Sequence, residues 1–423
     1  MPQSTRRQFL ATSAAFALAG RTSLAQEKRA AANDSITLGF IGVGGMGTGL
    51  LNIFKGFGDV RVAAVCDVYE PHALRAREAA GGSVDVFKDF REVLDRKDID
   101  AVVIATPDHW HAIPTILACQ AGKDVYCEKP LAYRIGEGQR VVEAARKHGR
   151  ITQMGNLIHA GETYHRMAEI VQSGVLGRIA KVRCWMARNV PGLGHPADTD
   201  PPAGCDYDFW LGPAPKRPFN PNRFTFNWRY FWDYAGGHLC DFVCHLVDPV
   251  HWGLKVKRPR TAVASGQRVL DDNAETPDTL EVTYHYDEGF DLVWSHQETN
   301  GHGFEGRPAG IAFYGTRGTL HGHYNSYAII PEKGEEIVEP PKTLPRSPGH
   351  HREWLDAIKS REPCSCHFEY GHQLSCVGHL GNIALWSGRK VEWEGETGRF
   401  TDGELDRYLL RDEYRSPWTL PEV

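Results

Sequence analysis

The sequence predicts an α/β protein in two parts: a doubly wound parallel sheet, then an α/β domain built on a large, mostly antiparallel open sheet. Three observations carry this reading. Short apolar runs alternate with helix-like stretches from residue 36 to 154, the rhythm of βαβ units. Beyond residue 180, strand-like runs follow one another without intervening helices, as in an open antiparallel sheet. A glycine-rich turn, Gly42-x-Gly44-x-x-Gly47, sits directly after the first run and opens the first helix.

Residues 36–43 form a continuous apolar run, read as a buried strand. A helix follows the glycine turn to about residue 55. The second strand, 60–66, ends at Asp67. Helices are then expected at 71–80 and 90–94, a strand at 101–105, a helix at 113–121 and a strand at 124–127. A strongly amphipathic helix at 135–148 ends at Gly149, and 151–153 is the last strand of the first part. In the second part strands are expected at 180–186, 260–265, 279–286, 291–297, 310–314 and 318–321. Residues 331–349, rich in Pro, Glu and Lys, read as an exposed loop, and 351–359 and 373–387 as helices.

The 423 residues suffice for two or three domains. Apolar residues make up 41% and charged residues 24%, which excludes collagen, coiled coil and bulk disorder. No apolar run reaches the roughly 18 residues of a spanning helix, so no membrane span is expected. A net charge of −5 supplies no basic field for nucleic acid. Residues 1–25 read as an export leader. Arg6-Arg7 precede a mildly apolar stretch, and Ser23-Leu24-Ala25 offers a small-x-small cleavage signal. The arginine pair points to the twin-arginine route, used by proteins that fold before export, often around a cofactor. The leader holds three arginines and no acids, so the mature chain would carry −8 and work in the periplasm or elsewhere outside the cytoplasm. Of the ten cysteines none forms a CxxC pair. They read as small buried hydrophobes rather than metal ligands, although an exported protein permits a disulfide. The expected division is a leader (1–25), a linker or arm (26–35), a nucleotide-binding domain (36–154) and a substrate and oligomerisation domain (155–423).

Four segments carry chemistry. In the glycine turn, Gly42, Gly44 and Gly47 let backbone approach a pyrophosphate lying on a helix N-terminus. Asp67, at the end of the second strand, is placed to bind the adenosine ribose hydroxyls and to repel a 2′-phosphate, which favours NAD over NADP. Thr106-Pro107-Asp108-His109-Trp110-His111 follows the strand ending at 105, on the carboxyl edge where open α/β sheets bind ligands. Glu128-Lys129-Pro130 follows the next strand on the same edge. Partial burial and a cationic nicotinamide ring nearby would lower the Lys129 pKa and suit it to proton work. In the fourth segment Asp241, His245 and Asp248 fall at i, i+4 and i+7 of a helix read over 239–252. A histidine held there by a carboxylate makes a general base. Aromatic and arginine residues crowd 208–234, among them Arg223, Trp228, Arg229 and Trp232. They serve either sugar stacking and hydroxyl binding, together with His109 and Trp110, or packing between domains or subunits.

With these four segments the chain resembles the glucose–fructose oxidoreductase/inositol dehydrogenase (Gfo/Idh/MocA) family over about residues 36–420. The resemblance implies a Rossmann domain followed by an α/β domain with a large open sheet, and hydride exchange between a nicotinamide and a sugar or cyclitol carbon. It implies Lys129, Asp241 and His245 as the catalytic set, with Glu128 near the cofactor. Met46, Thr106, Pro107 and His111 are expected to contact the cofactor alongside the glycines. Trp110 between two histidines is unlike the plainest members and looks like an exported subgroup. The retained Lys129, often lost in glycosidases of this superfamily, leans toward a simple dehydrogenase.

The expectation is therefore an exported NAD-dependent oxidoreductase acting on a carbohydrate or glycoside, needing no metal and forming a homo-oligomer through its C-terminal sheet. His245, oriented by Asp241, would take the hydroxyl proton, and Lys129 would stabilise the charge developing on oxygen. Two alternatives stay open: a glycosidase working by oxidation, elimination, hydration and reduction with bound NAD, and a non-catalytic NAD- and sugar-binding protein.

Overall fold

The computed structural model describes residues 35–423. The leader expected at 1–25, and residues 26–34 of the expected arm, lie outside the described residues. The first part is a six-stranded sheet: β1 (Ile36–Ile41), β2 (Val60–Cys66), β3 (Asp85–Phe87), β4 (Ala101–Ile104), β5 (Asp124–Cys127) and β6 (Thr152–Met154). They lie in the order β3-β2-β1-β4-β5-β6, and every pairing is parallel. β1, β4 and β5 are buried along their whole length, as strands covered on both faces must be. The connecting helices are α1 (Gly45–Phe54), α2 (Glu70–Ala79), α3 (Phe90–Asp95), α4 (Ala112–Gln120) and α5 (Ile135–Lys147).

The second part opens with α6 (Glu162–Gln172), which leads into β7 (Ile179–Ala187). After the short α7 (Tyr207–Leu211) comes the long α8 (Gly237–Leu254). Strands β8 (Thr261–Gln267), β9 (Thr279–Tyr286), β10 (Phe290–Gln297), β11 (Ala309–Gly315), β12 (Gly318–His323) and β13 (Ser326–Pro331) follow. Then come α9 (His350–Ser360), α10 (Phe368–Ser387), β14 (Val391–Glu394) and β15 (Arg399–Phe400). The nine strands run β13-β12-β11-β7-β10-β9-β8-β14-β15. The β7–β10 pair is parallel and the remaining pairs are antiparallel. β9 alternates buried and exposed residues, with Leu280, Val282, Tyr284 and Tyr286 turned inward. α8 and α10 pack over that inner face, the Tyr284 hydroxyl bonding to the Val377 carbonyl of α10 at 2.8 Å.

Among the contacts that join the halves, three come from segments distant in the chain. α9 docks on the first sheet: Trp354 is fully buried there against Phe54 and Tyr126, and Asp59 pairs with Arg352 (2.8 Å) and Lys359 (2.6 Å). The stretch between β7 and α8 reaches back to the loop after β2, where Glu70 N donates to Gly204 O and Asp206 N to Val68 O, each at 2.9 Å. The segment after β15 returns last. Arg415 bonds Asp208 (2.7 Å) and the Gly212 carbonyl (2.9 Å), and Trp418 stacks on Phe209 and meets Trp110 edge-on.

Candidate active site

The glycine turn explains itself residue by residue. Gly42 has φ +79°, and a Cβ there would lie 2.7 Å from Thr106 N; a Cβ on Gly47 would lie 1.9 Å from Gly42 O. Both positions are closed by protein. Gly44 is different, since a Cβ would meet only the His72 ring, at 3.5 Å. Packing does not demand glycine at 44; clear space in front of its backbone does. α1 begins there with no side-chain cap and no acid in its first turn, so its amides are available to an anion. This is a cradle that fits the pyrophosphate of a dinucleotide.

Gly42, Gly44, Met46, Asp67, Thr106 and Pro107 all line a cleft of about 510 Å³. Its opposite wall comes from the second domain: Phe209, Trp210, Phe224, Phe226, Trp228 and Arg229. Asp67 is anchored by two backbone donors, Val43 N on Oδ2 and Tyr69 N on Oδ1, each at 2.9 Å. It thus braces the glycine turn as well as facing the cleft. His111 does not line the cleft. Its ring lies between the carbonyls of Pro130 (2.7 Å) and Thr106 (2.9 Å), where the loops after β4 and β5 meet; burial pushes its pKa down to about 4, and the neutral ring donates to one of the two.

The residues expected to bind substrate divide. Trp110, Trp228 and Arg229 reach the cleft. His109 does not: it is buried between Trp210 and Tyr234, with Nε2 3.0 Å from the Trp210 carbonyl. Burial, reinforced by Arg411, pushes its pKa to about 3. Arg223 is held by Asp198 (3.1 Å) and the Pro218 carbonyl. Trp232 packs edge-on against Trp386. None of these three lines the cleft, and the contacts they make are packing contacts within the protein.

Lys129, Asp241 and His245 come together, but not in the expected pairing. Lys129 Nζ donates to Asp241 Oδ1 (2.5 Å) and to the Asp241 carbonyl (2.8 Å). Arg229 Nε lies 3.5 Å from the same Oδ1. Asp241 therefore belongs to two cations. Burial would raise its pKa, but Lys129 and Arg229 more than offset this and hold it below the usual carboxylate range. The expectation of a lowered Lys129 pKa fails for the same reason: burial pushes it down, Asp241 pushes it further up, and the net shift is upward. Lys129 is a fixed cation. His245 Nδ1 instead meets Asn156 Oδ1 at 2.6 Å, and burial and the Lys129 charge drop its pKa to about 3. Its Nε2 has no hydrogen-bond partner among the described residues. Asp248 points away from His245 and binds Asn156, His159 and Tyr370.

Two further carboxyls adjoin this group. Glu128 is outside the cleft wall, its carboxylate packed on Gly155; burial, opposed by Lys129, pushes its pKa up to about 7. Asp108 is buried too, and burial, opposed by Arg229 and reinforced by Asp241, takes it to about 8. Asp108 and Asn156 were missing from the expected set. Topology offers the signal for Asn156, since the turn after β6 lies on the same sheet edge as the loops after β4 and β5. Arg229 joins the two halves of the site, lining the cleft while reaching Asp241.

Comparison with known proteins agrees with this anatomy. Residues 36–156 match the Gfo/Idh/MocA oxidoreductase family's NAD-binding Rossmann fold, and residues 161–420 its C-terminal alpha/beta domain. Inositol 2-dehydrogenase of Salmonella typhimurium is 31% identical over 161 residues, 37% of this chain and 48% of that protein. A 2,7-anhydro-N-acetylneuraminate hydratase of Mediterraneibacter gnavus is 30% identical over 155 residues, 36% of this chain and 40% of its own. The matched segment thus spans about half or less of these relatives. Among solved structures, the WlbA dehydrogenase from Bordetella pertussis in complex with NADH and UDP-GlcNAcA superposes with a TM-score of 0.67 at 18% identity, covering 85% of this chain and 99% of that one. Levoglucosan dehydrogenase in complex with NADH gives 0.61 at 18% identity, with the same coverage. These two show the fold.

Proposed function

This chain belongs to the Gfo/Idh/MocA oxidoreductase family, with an NAD-binding Rossmann fold as its first domain, and from that premise we propose that it oxidises or reduces a hydroxyl-bearing carbon of a carbohydrate or glycoside. The observation that carries this reading is the junction at Arg229, where the cofactor cleft meets a largely buried cation, Lys129, and a neutral histidine, His245. NAD supplies the hydride acceptor when bound. Two of the three Lys129 N–H groups are occupied by Asp241, so the third is free to donate to a substrate oxygen and to stabilise charge as its proton leaves. His245, neutral across the physiological range, accepts that proton at Nε2. Asp67, an acid at the ribose end of the cleft, supports NAD over NADP. Export rests on the Arg6-Arg7 leader, and assembly through the nine-stranded sheet completes the reading.

A second reading has one observation in its favour. Asp108 is an acid held protonated near neutral pH beside Lys129 and Arg229, which suits it to protonate a leaving group after oxidation of the neighbouring carbon. Incubation with a panel of glycosides separates the two. Keto-sugar formed with stoichiometric NADH supports the dehydrogenase; net hydrolysis without added NAD supports the eliminating glycosidase. Protein that binds NAD yet leaves every glycoside unchanged would overturn both.

A further inference from the structure

We propose that Asn156 and Asp248 are positioning residues that lock His245 in the tautomer protonated at Nδ1, leaving Nε2 as the proton acceptor; this rests on His245 being the base. A neutral imidazole has one N–H and one lone pair, and its partners decide which nitrogen carries which. The partner of Nδ1 is the Asn156 amide, at 2.6 Å. An amide can present oxygen or NH₂ with nearly the same shape, so its orientation is set by its other neighbours.

Here those neighbours are both acceptors. The Asn156 NH₂ donates to Asp248 Oδ2 (2.9 Å) and to the Cys244 carbonyl (3.3 Å). The amide nitrogen must face them, the amide oxygen must face His245, and His245 Nδ1 must donate. Asn156 and Asp248 are fully buried, so water has no access to replace either partner. Asp248 is fixed in turn: His159 Nδ1 donates to it at 2.9 Å and the Tyr370 hydroxyl at 2.5 Å. One buried carboxylate, which does not touch His245, thereby dictates which imidazole nitrogen carries the proton. Asp248→Asn removes the closer of the two acceptors and leaves only the Cys244 carbonyl, at 3.3 Å. A neutral amide at 248 can itself donate, Asn156 can turn over, and its NH₂ then forces the His245 proton to Nε2, where no base remains.

The test uses the mature, NAD-loaded protein labelled with ¹⁵N-histidine, the His245 signals being assigned by their loss in His245→Gln. Wild type should show a protonated Nδ1 and a bare Nε2, and Asp248→Asn should reverse the pattern. Asn156→Ala and Asp248→Asn should each lower kcat on the order of 100-fold, with KM within a few-fold, since the lost function is correct protonation rather than binding. A wild-type His245 with its proton on Nε2 overturns the proposal, as does wild-type kcat in Asn156→Ala. If Asp248→Asn does not fold, the wild-type spectrum and Asn156→Ala still decide. The spectrum needs no substrate, so an error in the proposed reaction would leave it untouched.

Discussion

Replacing Trp418 with alanine should loosen the cofactor rather than the chemistry. Its indole stacks on Phe209 at 5.2 Å, meets Trp110 at 4.7 Å, and lies under the Arg91 guanidinium at 5.3 Å. Phe209 and Trp110 both line the cofactor cleft, so Trp418 braces that wall from behind. Truncating a fully buried tryptophan costs about 3–5 kcal/mol. Trp418 is half-buried, which brings the loss to about 2 kcal/mol. At about 1.4 kcal/mol per tenfold, the docked state of the segment weakens roughly 30-fold. If the nucleotide leaves only when this segment undocks, NADH release should accelerate by up to that factor, with the rate of hydride transfer unchanged. Stopped-flow loss of NADH fluorescence on mixing loaded protein with excess NAD measures it. A release rate within twofold of wild type, in a variant that melts normally, would refute the idea that the segment closes the cleft. Arg415→Ala, losing Asp208 and the Gly212 carbonyl, should act in the same direction by less.

Lys129→Met and His245→Ala should each reduce turnover about 10²–10⁴-fold with NAD affinity kept in calorimetric titration; Lys129→Met should also lower the melting temperature, because it leaves buried Asp241 with Arg229 alone. Asp67→Asn should improve NADP relative to NAD while keeping only one of the two backbone hydrogen bonds that brace the glycine turn, since its NH₂ cannot accept from the second N–H, and Asp67→Ser should weaken both cofactors; titration of the two variants with each nucleotide checks this. Stability should fall early on acidification. His109, His296 and His379 have pKa values near 3 and His111 near 4, against 6.5 when unfolded. They stay neutral in the fold while the unfolded chain takes up protons, so their contribution is complete above pH 6.5 and is lost as pH drops toward 3–4. At pH 5 each costs about 2 kcal/mol, while the raised pKa values of Asp108 and Glu128 favour the fold over the same range and offset part of the loss, so urea unfolding should show a net loss of stability at pH 5 against pH 7.5.

The first sheet was legible because its central strands are buried on both faces and read as unbroken apolar runs. β3 was not, since Asp85 and Val86 are exposed on an edge, and edge β13 likewise shows few inward residues. α6 escaped for another reason. Part of its buried face is ionic: Arg166 and Glu169 pair with each other, with Glu339 and with Arg346, so hydrophobic periodicity underestimates it. Lys129, Asp241 and His245 were singled out through the family resemblance that their segments carry together, not by any one segment alone. Their partners were not, because i,i+4 spacing on α8 suggests an Asp241–His245 contact, whereas the bare charge of Lys129 competes for the same carboxylate and wins. His245 is then satisfied from a turn about ninety residues upstream, a pairing that only the fold reveals.

The docking of α9 bears on how this protein can be cut and recombined. Trp354 is a core residue of the first sheet although it lies far beyond residue 156. The same stretch supplies the Cys366 carbonyl that accepts from Met154 N at 2.9 Å, and the Arg361 guanidinium that clasps Asp124. A fragment ending at 156 would uncover Phe54 and Tyr126 and leave Asp59 and Asp124 without their partners, a recipe for aggregation rather than a soluble nucleotide-binding module. A chimera that exchanges nucleotide-binding halves between relatives has to transplant two pieces of chain together, 36–156 and 350–366, because the fold treats them as one body.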